Sequence, residues 1–354
     1  MWKIRQLKQF KSPTYRTLTI LADGNGTNNN KVFCSRITLD FENPESPLPL
    51  SEVNKTNLKN YQFPVIKISY DRNDVVEHAK SIGIKADNKY ADLYLNQSHK
   101  KFQVLPSFLL PFSNKILIDL CSFPSTAWKL SFEHLLHGEH YIQQLKQLPP
   151  EGIVNLKIKT SDVMDKGKGT LYCFNMNIYD ENNGETYFTM DYHILEVGTG
   201  GFIGNKSNPH MTRKVTPPNS NYNPPDSILE FQTFIPKDGI KTELSDSDLN
   251  MPCYSSLHPH QRYGTNFEFL RSPIAHGRYT FAGVMKSILF KYANGNVEKF
   301  KAAKVRFAKP VYPGDNILIS TWKADESRIT FQGDVKRDGE NIKVLTDGYI
   351  DLDM

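Results

Sequence analysis

The stretch that most constrains the fold of this chain is 272–313, SPIAHGRYTFAGVMKSILFKYANGNVEKFKAAKVRFAKPVYP. Its first half carries apolar residues at the spacing of one helix face: Phe281, Val284, Met285, Ile288, Leu289 and Tyr292. The small residue Gly283 would let such a helix lie close to a flat surface. Asn294-Gly295 predicts the end of the helix, because both residues tolerate the left-handed conformation. We therefore expect a buried helix over 279–293.

The residues after this helix have the pattern of β-strands. Val305 and Phe307 alternate with Lys304 and Arg306, as in a strand with one buried face. After an intervening Pro-Gly turn, a second alternating run begins at Ile317. The expected unit is therefore a buried helix that leads into an antiparallel meander.

This unit resembles a known family. The strings SPIAHG and TFAG, followed by KVRFAKPVYPGD, are similar to the enoyl-CoA hydratase 2 branch of the MaoC-like hot-dog proteins. DVVEHAKSIG at 74–83, KFQVLPSF at 101–108 and LLHGEHYIQQLKQLP at 135–149 resemble earlier segments of the same family. The resemblance implies an α+β double hot dog over 60–354, with two antiparallel sheets each wrapped around a long helix.

The chain divides into four predicted regions. These are a basic N-terminal arm and loop at 1–59, an N-terminal hot-dog half at 60–200, a linker at 201–226 and a C-terminal, hydratase-like half at 227–354. The sequence predicts a short helix that ends at Gly83 and a β-meander over 152–197 with a turn at Asn183-Gly184. The two halves do not look alike in sequence, so their duplication is implied by the family resemblance alone.

Composition excludes several functional classes. The formal net charge is +5, and no basic cluster is interleaved with aromatic residues, so nucleic acid is not an expected partner. The mean hydropathy is −0.49, and no apolar run is long enough to span a bilayer. The cysteines show neither CxxC nor zinc-ligand spacing: Cys34, Cys121, Cys173 and Cys253. Reduced thiols, no metal and no cofactor are expected.

The N-terminal segment is basic. Five cations precede the first acid, Asp23: Lys3, Arg5, Lys8, Lys11 and Arg16. This bias is typical of a mitochondrial import signal, and a solvated basic arm is the alternative. The last residues, TDGYIDLDM, do not match a peroxisomal SKL-type signal. Mitochondrial localisation is therefore predicted, with peroxisomal localisation as the alternative.

The chemistry implied by the resemblance is hydration of a trans-2-enoyl-CoA. This reaction needs a base, an acid, and donors that stabilise charge on the thioester oxygen. In the family, an Asp and a His in the pattern D-x-N-P-L-H supply the first two, and backbone N–H groups at the helix start supply the third. Gly277 stands at that helix start, and its lack of a side chain would let a thioester approach.

The segment in the place of D-x-N-P-L-H departs from this pattern. It reads ELSDSDLNMPCYSSLHPHQ over 243–261. In one register His258 is kept and the place of the acid holds Cys253; in the other Asp248 is kept and Cys253 takes the place of the histidine. An insertion that brings Asp248 and His258 together would restore the pair. Alternatively, His258 is a loop histidine, Asp248 a helix cap and Cys253 a buried thiol.

Two further patterns bear on activity. Gln97 stands where family members often carry a glutamate, and glutamine cannot act as a base. Lys304, Arg306 and Lys309 resemble residues that lie near the CoA phosphates in relatives. Charged strand edges also occur simply for solubility, so both interpretations of these cations stay open.

These patterns lead to a ranked set of functions. The first is a hydratase 2-like protein that has lost enoyl-CoA hydration and serves as a structural or acyl-binding subunit of a larger, mitochondrial assembly. The alternative is an active (3R)-specific 2-enoyl-CoA hydratase, or 3-hydroxyacyl-CoA dehydratase, that uses Asp248 and His258. A thioesterase-like hot-dog enzyme ranks third. The expected partners are acyl-CoA and either other protein subunits or a second copy of the chain.

Overall fold

The computed structural model describes residues 2–11, 15–24, 36–42, 58–114, 134–207, 215, 218, 223–233 and 274–353, with the backbone alone for the first three ranges. The strands are β1 (Trp2–Lys11), β2 (Tyr15–Gly24), β3 (Arg36–Glu42), β4 (Ile66–Tyr70), β5 (Leu135–Gln144), β6 (Gly152–Asp165), β7 (Gly169–Asp180), β8 (Thr186–Val197), β9 (Ser227–Gln232), β10 (Phe300–Phe307), β11 (Asn316–Lys323), β12 (Arg328–Arg337) and β13 (Glu340–Leu352). The helices are α1 (Arg72–Ser81), α2 (Ala91–Leu95) and α3 (Gly277–Ala293), and 3₁₀ segments lie at Pro106–Asn114 and Val297–Lys299.

Strands β4 to β13 form one antiparallel sheet in the order β4-β6-β7-β8-β5-β10-β13-β12-β11-β9. When the strands of each half are counted in chain order, both halves have the spatial order 1-3-4-5-2. The second strands of the two halves, β5 and β10, pair and join the halves. The structure thus shows the duplication that the sequence conceals. The predicted double hot dog is confirmed, and its two sheets are halves of one continuous sheet.

Helix α3 is the central helix of the C-terminal half. It spans Gly277–Ala293, close to the predicted 279–293, and buries the expected apolar residues Phe281, Val284, Met285, Ile288 and Leu289. Asn294 and Gly295 end the helix with φ values of 52° and 71°. A Cβ on Gly283 would lie 2.3 Å from Cζ of Phe231, so the flat surface against this residue is an aromatic ring of β9. Only glycine allows this approach.

The N-terminal half holds the C-terminal end of α3. Gln103 donates from Nε2 to the Gly295 carbonyl at 2.6 Å, and its Oε1 accepts from the Val297 N–H at 3.2 Å. Lys286 of α3 donates to the Ile82 carbonyl at 2.7 Å. The expected long helix in this half is not found among the described residues, since α1 has 10 residues against 17 in α3.

Local predictions in the N-terminal half were mostly correct. Helix α1 starts with a capping box at Asp71, and Gly83, just beyond its C-cap, has a φ of +86°. Strands β6 to β8 form the expected meander, and Gly184 in its turn has a φ of 73°. Among the described residues, no helix is long and apolar enough to cross a bilayer.

The N-terminal residues differ from the prediction of an arm and a loop. The backbone forms a three-stranded sheet in the order β1-β2-β3. The loop prediction is wrong for Arg36–Glu42, where Ile37, Leu39 and Phe41 alternate with polar residues, a pattern typical of a strand.

Candidate functional site

A β-bulge near the start of β5 shapes the candidate site. The register with β8 shifts between His137 and Glu139, so His137 lies opposite Ile194 and His140 opposite Tyr192. Residues three apart in a regular strand point to opposite faces, and the extra bulge residue removes this alternation. The rings of His137 and His140 therefore lie on the same face, with their centroids 5.2 Å apart.

Gly277 lies against one of these histidines at the start of α3. A Cβ on Gly277 would be 2.6 Å from His137 Nδ1 and 2.9 Å from Cε1 of Phe307. The rings of His137 and Phe307 themselves pack with their centroids 4.2 Å apart. The glycine therefore makes room for the imidazole and the phenyl ring, and its role in letting a thioester approach stays a prediction.

His137 and His140 form a connected pair. His137 Nε2 lies 3.1 Å from His140 Nδ1, and the edge of the Tyr192 ring packs on His137 with centroids 4.8 Å apart. His140 is fully buried, and burial, with smaller contributions from His193 and Arg278, lowers its pKa to about 3. At neutral pH His140 is therefore uncharged.

The amino end of α3 supplies the donors of the site. The N–H groups of a first helical turn have no intrahelical acceptor, and the helix dipole places partial positive charge there. His276 is the N-cap, and its carbonyl accepts the first intrahelical hydrogen bond from the Thr280 N–H at 3.1 Å. Gly277, as the first residue of α3, brings this end of the helix directly against His137. Such an end favours an oxygen that carries developing negative charge.

Lys304 occupies a different environment from the one predicted. It lies opposite Tyr141 in the β5–β10 register, whereas its neighbour Val305 lies opposite His140. Its side chain therefore points to the sheet face away from α3. Lys304 is 1% exposed, and its Nζ lies 3.2 Å from Glu139 Oε2. This buried ion pair leaves Lys304 unable to reach the phosphates of a CoA.

The other two predicted cations are exposed near the end of β10. Arg306 makes a 3.7 Å ion pair with Asp347, and its side chain remains 61% exposed. Lys309 is exposed two residues beyond the last residue of the strand. Arg306 lies opposite Glu139 in the β5–β10 register, so its side chain is on the same sheet face as that of Lys304.

Gln97 lies on the surface of the protein. Its side chain is exposed, and its Nε2 donates to Asn73 Oδ1 at 3.2 Å. Its carbonyl accepts a 2.8 Å hydrogen bond from Arg72 Nη1. A glutamate here would stand on the surface beside α1, so the substitution gives no reason to infer lost activity.

The remaining predicted residues lie outside the described residues. Asp248, Cys253 and His258 all belong to the segment 234–273. In the part of the chain that the structure describes, no group of three potential metal ligands is found. No sequence pattern singled out His137 and His140, although LLHGEH contains both within the resembling segment.

Both halves of the chain are similar to known protein domains. Residues 68–198 match the MFE-2 hydratase 2 N-terminal domain, and residues 255–344 match the MaoC like domain. The peroxisomal multifunctional enzyme type 2 of Mus musculus is 29% identical over 294 residues, which cover 82% of this chain and 38% of that enzyme. The probable enoyl-CoA hydratase 2 of Dictyostelium discoideum is 26% identical, with 80% of this chain and 92% of that protein covered.

Solved structures show the same architecture. A MaoC-like dehydratase from Phytophthora capsici superposes with a TM-score of 0.65 at 21% identity, over 84% of this chain and 97% of that chain. The full-length peroxisomal multifunctional enzyme type 2 of Drosophila melanogaster gives 0.63 at 24% identity, over 81% of this chain and 48% of that chain. Strand order, central helix and these superpositions define a double hot-dog protein. The chain belongs to the MaoC-like hot-dog family, in its hydratase 2 branch.

Proposed function

We propose that this hydratase 2-like chain binds an acyl-CoA at the amino end of α3 and has lost efficient hydration of trans-2-enoyl-CoA. The observation that carries the binding site is the close packing of Gly277 against His137 and Phe307. This packing holds the first-turn amides of α3 where a thioester oxygen would gain from their partial positive charge.

The proposal of lost hydration depends on the sequence of the acid and base. Asp248 precedes His258 by ten residues, where the family pattern has five, and Pro252 interrupts any regular element between them. Water addition requires both groups within hydrogen-bond reach of one water, and a shift of about 1 Å costs about a hundredfold in rate. The glutamine at position 97 is not an argument for lost hydration, because its side chain lies on the surface.

An active (3R)-specific enoyl-CoA hydratase is the second candidate. It is favoured by the relatives, among them a protein of Arabidopsis thaliana named "Enoyl-CoA hydratase 2, peroxisomal", which is 26% identical over 85% of this chain. In this candidate, Asp248 and His258 act together as base and acid. The chain spans 38% of the mouse multifunctional enzyme, so the activities of that longer protein are proposals for this chain.

Turnover of crotonyl-CoA separates the two candidates. We expect wild-type protein to hydrate it no faster than the Asp248→Asn and His258→Gln variants, while calorimetry records binding of butyryl-CoA to all three. Wild-type turnover that falls by orders of magnitude in both variants would establish the active hydratase.

For CoA phosphate contacts we propose Arg306 and Lys309, and we withdraw Lys304 because it is buried. Lys301 is a matched control, since it is an exposed lysine of β10 that pairs with Asp353 at 2.6 Å, near the opposite end of the strand. Charge reversal at Arg306 or Lys309 should weaken butyryl-CoA binding about fivefold each, and Lys301→Glu should leave it unchanged. Equal effects of all three variants would refute this placement.

For localisation, we propose the peroxisome. Four relatives carry this location in their names, in Mus musculus, Drosophila melanogaster, Arabidopsis thaliana and Neurospora crassa. The mitochondrial prediction rests on the basic N-terminal residues alone. A fluorescent tag inserted at an exposed internal turn, such as Asn183-Gly184, should co-localise with a peroxisomal marker, and mitochondrial fluorescence would refute this proposal. Association with other subunits also stays a proposal, which light scattering of the purified protein can test.

A further inference from the structure

The His137–His140 pair lies outside the D-x-N-P-L-H pattern that supplies the acid and base in the family. One nitrogen of His140, Nδ1, is 3.1 Å from His137 Nε2. The other, Nε2, is buried and has no hydrogen-bond partner among the residues that the structure describes. The His140 ring faces the second turn of α3, with its centroid 6.2 Å from that of Phe281. A buried polar group in such a position needs an explanation.

The tautomers of the pair follow from this hydrogen-bond network. A neutral imidazole carries one proton, so one nitrogen donates and the other accepts. Buried N–H groups without an acceptor are rarer in proteins than acceptors without a donor. This favours a bare Nε2 and a protonated Nδ1 on His140, which then donates to His137 Nε2. The proton of a neutral His137 is consequently on its Nδ1.

The Nδ1 of His137 faces the amino end of α3. It lies 2.6 Å from the place that a Cβ on Gly277 would occupy. The rings of Phe307 and Tyr192 pack on His137 with centroid distances of 4.2 and 4.8 Å, which restricts its rotation. Burial raises the pKa of Tyr192 to about 12, so this neighbour stays uncharged.

We propose that His137 donates a hydrogen bond from Nδ1 to the acyl-thioester ligand at the amino end of α3, and that His140 is the positioning residue that fixes this tautomer. The inference rests on the thioester site proposed above and adds a side-chain donor to its backbone amides. Hydrogen bonds from rigid donors stabilise a thioester oxygen whether or not a reaction follows. The role therefore applies to binding without turnover as well as to hydration.

Nitrogen-15 spectroscopy of histidine-labelled full chain tests the tautomer directly. Long-range proton–nitrogen correlations show which ring nitrogen carries the proton, and the His137→Gln variant assigns the signals of that ring. We expect protonated Nδ1 on His137. Saturated butyryl-CoA, which cannot be hydrated, should shift this signal and leave His78, which is buried against Ser107 in the N-terminal half, unmoved.

Two variants of His140 separate positioning from packing. His140→Leu fills similar space without a donor and should weaken butyryl-CoA binding about tenfold, the effect of one lost hydrogen bond. His140→Asn can present an amide donor in the place of Nδ1 and should restore most of the affinity. Thermal unfolding of both variants checks that each is folded.

The failure of this inference differs from the failure of the proposed function. A proton on Nε2 of His137, or a His137 signal that stays unmoved while calorimetry records binding, overturns the inference alone. Equal affinities of the Leu and Asn variants overturn the positioning role. Absence of butyryl-CoA binding to wild-type protein overturns the proposed function and, with it, the ligand contact of His137.

Discussion

At the scale of single residues, the environment of a charged side chain is set by its partner in the fold and could not be predicted from the sequence pattern. Lys304 is in a strand whose cations resemble a CoA-binding pattern, yet its ammonium pairs with Glu139 beneath the surface. Burial raises the pKa of the Glu139 carboxyl, and the Lys304 charge opposes this change. Removing one member of such a pair leaves the other charge buried without compensation.

Replacement of Lys304 by methionine should therefore destabilise the protein without a direct effect on CoA contacts. We expect the free energy of unfolding to fall by about 3 kcal/mol, because the partly buried Glu139 then loses its lysine partner, although His193 at 3.8 Å and the charge of Arg306 remain. The double variant Lys304→Met/Glu139→Gln should regain much of this loss. Chemical denaturation of the single and double variants measures both quantities. A single variant as stable as wild type would refute the buried pair.

The stability of the chain should also depend on pH through His78. Its Nε2 lies 2.9 Å from Ser107 Oγ, and burial lowers its pKa from 6.5 to about 3. Between these values the unfolded chain binds a proton that the folded chain does not, so stability falls as pH is lowered from about 6.5 toward 3. From pH 7 to 5, wild type should lose about 2 kcal/mol more than His78→Asn. If the unfolding free energies of the two proteins, measured in urea, changed equally with pH, this would contradict the lowered pKa of His78.

At the scale of elements, α3 and β5 show what the sequence could and could not predict. The stripe through Phe281 and Met285 predicted α3 because apolar residues at helical spacing are typical of the helix face that packs against the core. The pair formed by His137 and His140 could not be predicted, because a spacing of three puts side chains on opposite faces of a regular strand. Only the bulge reverses this, and a bulge leaves no reliable pattern in one sequence.

The packing of α3 on β9 gives a prediction at the same scale. A Cβ on Gly283 would overlap the Phe231 ring at 2.3–2.4 Å, whereas a Cβ on Gly152 would meet its nearest atom at 3.6 Å. Gly283→Ala should thus cost about 1–3 kcal/mol through overpacking, and Gly152→Ala should be nearly neutral. Differential scanning calorimetry of both variants compares them. Equal melting temperatures would mean that α3 does not pack against Phe231 this closely.

At the scale of the whole molecule, two halves of the same strand order depend on each other. They share the β5–β10 pairing, and Gln103 of the N-terminal half binds the chain just beyond α3 in the C-terminal half. The sequence concealed the duplication because strand order is kept by backbone pairing while side chains diverge. Counting along the chain put Gln97 in the place of the family glutamate but could not show that its side chain is exposed.

Two glutamines provide a matched test of this dependence. Gln103→Leu removes one of two donors to the Gly295 carbonyl, which keeps the Tyr94 hydroxyl. It also removes the acceptor of the Val297 N–H, and the two losses together should cost about 1–3 kcal/mol of unfolding free energy. Gln97→Leu removes one exposed hydrogen bond and should change it by less than about 0.5 kcal/mol. Similar losses in both variants would show that Gln103 does not hold the halves together.

The most direct test of the acyl-CoA site is a crystal structure of the full chain grown with excess butyryl-CoA. We predict density for the thioester with its carbonyl oxygen within hydrogen-bond distance of the first-turn amides of α3 and of His137 Nδ1. We also predict that Asp248 and His258 do not both reach a water next to the acyl β-carbon. A ligand bound elsewhere, or Asp248 and His258 positioned together on such a water, would contradict this description of the site.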